Sequence, residues 1–255
     1  KNVTLKSILE ICQDEGYKTA LVATSSIVHA TPASFYAKVI SRYEYEDIAL
    51  QFSNHSVDFF VGGGKNYFDK RTDGKNLIKE MDSYTFVKSI EEFNVSKASK
   101  IGFFTYDLEP PSILEYRKYP LDQLTKITLS KLNSSKVPFF IMIEGSQIDW
   151  GGHDNDLNYV TTEFIEFNSA IQAALDFAKK DGNTLVVVTA DHETGGLALT
   201  GGRISQNKVS GRFATKGHSA TMVPVFSYGP NSEAFKGIYE NTEIFKKFQN
   251  TLDIK

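Results

Sequence analysis

A chain of 255 residues with 41% hydrophobic and 23% charged residues has the composition of a soluble globular protein, long enough for one large domain or two small ones. Its formal net charge of −3 points to neither nucleic acid nor an anionic membrane surface, and no apolar run approaches the ~18 residues of a membrane span. Cys12 is the only cysteine, which excludes an internal disulfide and a cysteine-based zinc site.

Apolar residues at Val3, Leu5, Ile8, Leu9 and Ile11 predict a helix over Asn2–Glu15, stopped by Asp14-Glu15-Gly16. Lys18–Ala23 reads as a buried strand that ends in the polar cluster Thr24-Ser25-Ser26. His29-Ala30-Thr31-Pro32 follows, and Pro32 favours the first turn of a helix running to about Ser41. A helix over Glu44–Phe52, a strand over Val57–Val61 closed by Gly62-Gly63-Gly64, and a helix over Asp73–Met81 come next. Lys100–Thr105 is a strand, Asp107–Pro120 a proline-rich loop, and Leu121–Leu132 a helix.

Phe139–Ile143 is a short, wholly apolar run that predicts a strand buried on both faces. The longest helix spans Asp156–Lys180, followed by a second apolar strand, Thr184–Ala190. Gly195–Gly217 is polar and glycine-rich, an active-site loop with room for a β-ribbon; a strand over Val223–Tyr228 and a helix over Asn241–Leu252 close the chain. Strands alternating with helices imply βαβ units and a mostly parallel sheet covered on both faces. No repeat or linker interrupts this order, so residues 1–255 read as a single domain.

Chemistry-bearing residues gather at the strand ends. After Ile143 come Glu144, Asp149 and His153 within one turn; after Thr184–Ala190 come Asp191 and His192. His218 precedes the strand at Val223, and His29 with Thr31 follows the first strand. Carboxylate and imidazole are ordinary zinc ligands, all-oxygen sets suit magnesium, and open α/β sheets bind ligands beyond the carboxyl ends of their strands. Each residue also has a plainer reading. Asp191 and Thr31 could cap helices, Glu144 could pair with a cation, and each histidine could be a hydrogen-bonded surface residue. Three acids and four of the five histidines arriving together at strand ends strain those readings. His55, in the polar loop Ser53-Asn54-His55-Ser56, stands apart.

Four segments, HATPASFYAKVISR (His29–Arg42), MIEGSQIDWGGHDND (Met142–Asp156), VTADHETGG (Val188–Gly196) and GHSATMVPVFSYGP (Gly217–Pro230), resemble the motifs of the alkaline phosphatases, in the family's order and over nearly the whole chain. The resemblance implies a three-layer α/β/α sandwich with a mostly parallel central sheet, two zinc ions and one magnesium ion. It implies hydrolysis of phosphate monoesters on small phosphorylated substrates through a phosphoserine intermediate. Carried over by motif, Asp149, His153 and His218 would hold the first zinc and Asp191 and His192 the second. Thr31 and Glu144 would bind magnesium, and Arg42, closing the helix after HATP, would clamp the phosphate. Two metal ions roughly 4 Å apart suit an in-line displacement, and a guanidinium fork engages two phosphate oxygens at once.

His29 and Trp150 occupy positions that vary within the family. His29 resembles a third-site ligand or a partner just behind that site. Trp150 cannot contact phosphate through a water as a lysine there would, and is either one of the family's variable active-site residues or a packing residue flanking the site. The resemblance also implies a periplasmic or secreted protein, and dimeric relatives make a homodimer the expected assembly.

The family's Asp-Ser-Ala motif, with the nucleophilic serine, does not occur here; Ser25-Ser26 lacks the preceding aspartate and lies too close to His29. Together with the start at Lys1-Asn2, this leads to the expectation of the carboxyl-terminal part of a longer phosphatase, inactive by itself. Two other functions stay open: another metal-dependent hydrolase or mutase of the same superfamily, or a non-catalytic module that binds metal or phosphate.

Overall fold

The computed structural model describes residues 4–254, which fall into two compact units. The first comprises residues up to 110, 118–144 and the stretch from 248 onward; the second comprises 111–117 and 145–247.

The first unit is built on a five-stranded sheet of β1 (Lys18–Ser26), β2 (Phe59–Gly63), β3 (Thr85–Phe86), β4 (Ile101–Phe104) and β5 (Phe139–Glu144). The order is β3-β4-β2-β1-β5 and every pairing is parallel, as the alternation of strands and helices predicts. Helices α1 (Ile8–Asp14), α2 (Ala30–Ser34), α3 (Tyr45–Ser53), α4 (Asn66–Asp69), α5 (Leu77–Glu80), α6 (Ile90–Val95) and α7 (Leu121–Ser134) flank the sheet. The core is largely aromatic: Phe52 meets Tyr36 and Phe60 edge-on, and Phe68 and Phe104 continue the cluster.

Several elements differ from expectation, each for a local reason. The first helix begins at Ile8, because Ser7 and Glu10 form a reciprocal capping box; Leu5 is exposed ahead of it, and Val3 lies outside the described residues. The helix expected from Pro32 to Ser41 stops at Ser34. Further on, the Lys38 backbone bonds in both directions to the Gln51 amide of α3 (2.7 and 3.1 Å) in place of helical partners. Arg42 therefore lies in a turn and does not close a helix. The helix expected over Asp73–Met81 is reduced to α5. Asp73 spends its carboxylate on Arg71 and on the Lys75 N–H, and Asn76 takes over as the cap. Strand β5, expected to be buried on both faces, is half-buried along its length and pairs with β1 alone among the described residues.

In the second unit, α8 (Gln147–Asp154) and α9 (Leu157–Asp181) pack together. Asp156 caps α9 by accepting from the N–H groups of Asn158 and Tyr159, and Gly182 ends it in the left-handed conformation (φ 78°). The strands are β6 (Val186–Val188), β7 (Glu193–Thr194), β8 (Ala198–Arg203), β9 (Lys208–Arg212), β10 (His218–Ser219) and β11 (Phe226–Tyr228). They form three antiparallel pairs, β6–β11, β7–β10 and β8–β9. The apolar strand expected over Thr184–Ala190 is thus three residues long and antiparallel to its partner, while the β-ribbon expected within Gly195–Gly217 is present as β8–β9. A last helix, α10 (Glu243–Leu252), crosses the division between the units.

Cys12, on the buried face of α1, is fully enclosed, and burial pushes its thiol up to about 12. The native chain is expected to resist thiol-disulfide reagents at mildly alkaline pH and to react with one equivalent once unfolded; prompt labelling of the native protein would contradict the packing of α1.

Candidate metal centre

Asp149 and His153 lie on α8, four residues apart and so on one helix face, where a single turn after the strand was expected. The helix carries Gly151 and Gly152 because its neighbours are too close for a side chain. A Cβ on Gly151 would stand 2.8 Å from the Val160 nitrogen of α9, and one on Gly152 would stand 2.8 Å from the Thr194 carbonyl of β7. His218 comes from β10, placed opposite Thr194 by the β7–β10 register.

The three side chains converge. His153 Nε2 is 3.4 Å and His218 Nε2 3.7 Å from Asp149 Oδ1, and all three candidate ligand atoms lie within 4.8 Å of one another. Ligands on a tetrahedral zinc at ~2.0–2.2 Å stand roughly 3.3–3.6 Å apart, so the spacing suits zinc with little movement. His192 joins the group: its ring stacks on that of His218 (centroids 3.5 Å apart), and its Nε2 is 3.2 Å from Asp191 Oδ2.

Hydrogen bonding decides which nitrogen each imidazole offers. His153 Nδ1 is 2.6 Å from the Lys216 carbonyl, which can only accept, so Nδ1 carries a proton and, in the neutral imidazole, Nε2 presents its lone pair to Asp149. The Thr194 hydroxyl gives its single proton to Asp149 Oδ1, so it must accept from His192 Nδ1 at 3.2 Å, which again leaves Nε2 as the acceptor. Two lone-pair pairs therefore face each other, His153 Nε2 with Asp149 and His192 Nε2 with Asp191. Such arrangements are repulsive until a metal ion or a proton sits between them. This donor chemistry would fit zinc at Asp149/His153/His218, and Asp191 with His192 forms a neighbouring carboxylate–imidazole pair.

Glu193 holds the frame in register. Its carboxylate accepts from the Ser219 hydroxyl and from the N–H groups of Gly196 and Leu197, both at 3.0 Å. Burial alone would raise its pKa, but these bonds, with His192 nearby, hold the carboxyl below its ordinary value. Thr194, Glu193 and the Lys216 carbonyl were not among the residues expected from sequence. A carbonyl leaves no trace in residue type, but Thr and Glu flanking a predicted ligand on a short strand are recognisable candidates.

The remaining expected residues lie, Trp150 apart, in the first unit. Glu144 ends β5 opposite Ala23 of β1, and Thr31 is on α2, which packs against both strands. Arg42 is exposed, and its guanidinium donates to His29 Nε2 at 3.3 Å, so His29 here is a partner of Arg42. His55, set apart in sequence, is half-buried beside Glu10 and the Tyr36 ring. Trp150, half-buried, follows Asp149 on α8.

A parallel α/β framework in one unit, and in the other a carboxylate–imidazole cluster with the spacing of metal ligands, are the features of an α/β protein with a candidate metal site. The chain belongs to the alkaline phosphatase family, whose model, described as alkaline phosphatase, matches residues 1–212. That match ends before His218, which geometry joins to the cluster.

Alkaline phosphatase 3 of Bacillus subtilis is 35% identical, with 94% of this chain and 69% of the relative covered. The alignment runs over 321 residues, more than the 255 present here, so part of the relative inside the matched span has no counterpart in this chain. The solved alkaline phosphatase of the Antarctic bacterium TAB5 superposes with a TM-score of 0.91 at 44% identity, covering 98% of this chain and 76% of that one. A histidine-to-glutamate variant of the TAB5 enzyme, with magnesium bound in its M3 site, superposes at 0.92 and 43% identity over 99% and 77% of the two chains.

Thr194→Val removes the hydroxyl that orients both Asp149 and His192 and keeps the β-branched shape. Zinc affinity is expected to fall about 10–100-fold while unfolding of the metal-free chain changes little; unchanged zinc affinity would show that the hydroxyl does not orient the ligands.

Proposed function

We propose that this chain acts in the hydrolysis of phosphate monoesters to an alcohol and inorganic phosphate, with zinc at Asp149, His153 and His218. Convergence of those three side chains, with His153 Nε2 turned toward Asp149, is the observation that carries the reading. Asp191 and His192 are the ligands of a second zinc, and Thr31 and Glu144 those of magnesium, by the motifs they share with the family. His29 serves as a partner behind that third site, a role supported by the bond it accepts from Arg42. When bound, the zinc ions supply Lewis acidity and ionisable water near neutral pH.

Arg42 is the phosphate clamp. One guanidinium N–H is committed to His29, and the exposed remainder of the fork is free in direction to grip phosphate oxygens. Trp150, next to Asp149, has no group that could stand in for a cation toward phosphate; it flanks the site by packing. The ester is cleaved by a serine oxygen that forms a bond to phosphorus as the alcohol oxygen leaves. Water then attacks the phosphoserine and frees the serine. That serine is supplied by a segment upstream of Lys1 on this reading, and export to the periplasm or the medium and a homodimeric assembly come with it from the family.

Elemental analysis after equilibration with zinc and magnesium, paired with p-nitrophenyl phosphate turnover at alkaline pH, tests the reading. About two zinc ions per chain are expected, about one fewer in His218→Ala, with turnover once the upstream segment is present. A chain that takes up no zinc contradicts the ligand assignment. Zinc without turnover in the extended form would make the protein a metal-binding module instead.

A further inference from the structure

The stretch Thr194–Ser232 contains none of the chain's 31 acidic residues and carries Arg203, Lys208, Arg212 and Lys216. All four cations are exposed, and among the described residues none is in an ion pair. In contrast, Arg71 and Arg117 are both buried in ion pairs.

The hairpin register sorts the cations. Arg203 faces Lys208 directly, Ala198 faces Arg212, and a bulge between Leu199 and Gly201 absorbs one residue. Side chains alternate along a strand and cross-strand partners share a face, so Arg203, Lys208 and Arg212 lie on the same face of the ribbon. The other face holds Leu199, Val209 and Gly211. A Cβ on Gly211 would meet Leu197 and Leu157 at 2.8 and 3.2 Å, so that face meets the start of α9 at its Gly211 end, with Leu199 and Val209 exposed beyond it, and the cationic face is the opposite one.

The ribbon is anchored to the metal cluster. Gly195 N–H donates to the Gly217 carbonyl (2.9 Å), the N–H groups of Ala214 and Thr215 donate to the Gly195 carbonyl, and His153 donates to the Lys216 carbonyl. The cationic residues thus begin at Lys216, whose backbone carbonyl holds His153, and on the ribbon run from Arg212 to Lys208, with Arg203 opposite, over roughly 14 Å at ~3.4 Å per residue. An orthophosphate group is far too short to span this row, whereas a chain of phosphates can lie along it.

We propose that the β8–β9 ribbon is a binding rail for phosphate compounds that carry several phosphates in a row, and that it biases the phosphatase site toward such polyanionic substrates. The bias rests on the phosphatase reading above; the anion-binding rail does not. Cations left without ion pairs on a stretch that carries no carboxylate of its own keep much of their attraction for an incoming polyanion, and the gain falls with salt.

Tripolyphosphate binding by calorimetry, on the chain freed of metal with a chelator, reads the rail without the metal site. The triple substitution Arg203→Ala/Lys208→Ala/Arg212→Ala is expected to weaken binding about 10-fold or more and to flatten its salt dependence. Arg203→Lys/Arg212→Lys, which keeps the charge, should retain most of the affinity. Orthophosphate binding to the zinc-loaded chain should stay within about twofold in the triple variant. Tripolyphosphate binding that is absent, or indifferent to the triple substitution, overturns the inference, as does an equal loss for orthophosphate. Zinc content of the same preparations keeps the two readings apart. Rail-dependent binding by a chain that takes no zinc retains the rail and rejects the metal centre; zinc uptake with rail-independent binding does the reverse.

Discussion

One hydroxyl proton governs the candidate site. Thr194 can donate once, and it donates to Asp149; His192 must then donate to Thr194, and its other nitrogen is left with a lone pair. The Lys216 carbonyl imposes the same outcome on His153. In their neutral form two imidazoles thereby adopt the tautomer a divalent cation requires, and each turns that lone pair toward a carboxylate oxygen, an arrangement that a metal ion or a proton between them relieves. Orienting partners of this kind make a ligand set out of residues that would otherwise be surface histidines.

That arrangement depends in turn on backbone proximity. Thr194 reaches Asp149 only because α8 lies against β7, and α8 can lie there only because Gly152 has no side chain. On the far side of β7, Glu193 ties Ser219 and the turn at Gly196-Leu197 together, which keeps His218 opposite Thr194. Candidate ligands from two sequence-distant segments therefore share a mount of a short helix and a two-residue ribbon, neither of which would be stable in isolation.

Much of the parallel framework was legible in the residues. Lys18–Ala23, Val57–Val61, Lys100–Thr105 and Phe139–Ile143 all became neighbouring strands, because short apolar runs between polar turns have few other uses. Helix α8 was not legible. Eight residues with adjacent glycines and a tryptophan have weak helical propensity, and only packing against α9 and β7 reveals why the glycines are there. The helix after His29 was overestimated for the opposite reason: its local propensity is fair, but the Gln51 side chain captures the Lys38 backbone beyond it. At the site, residue types marked Asp149, His153 and His218, yet nothing in residue type could mark the Lys216 carbonyl.

The seat of α8 has a further dependence, on charge buried beside it. Arg117, 2% exposed, forks onto Glu163, which is 1% exposed, and also reaches Glu166; Glu163 accepts the Ile113 N–H as well. This clasp binds the 111–117 segment to α9, and the same segment's Pro111 carbonyl accepts from Gln147 of α8, whose amide oxygen takes the Tyr159 hydroxyl of α9. Desolvating three charges contributes little net stability, since the loss of hydration offsets most of the attraction. Its value lies in direction. A guanidinium fork pairs with carboxylates in few orientations, so α9 is held in one pose against the segment, and α8, pressed onto α9 at Gly151, inherits that pose. An apolar replacement of equal volume could match the stability of this clasp, but it would lack the directional bonds that tie α9 to the 111–117 segment.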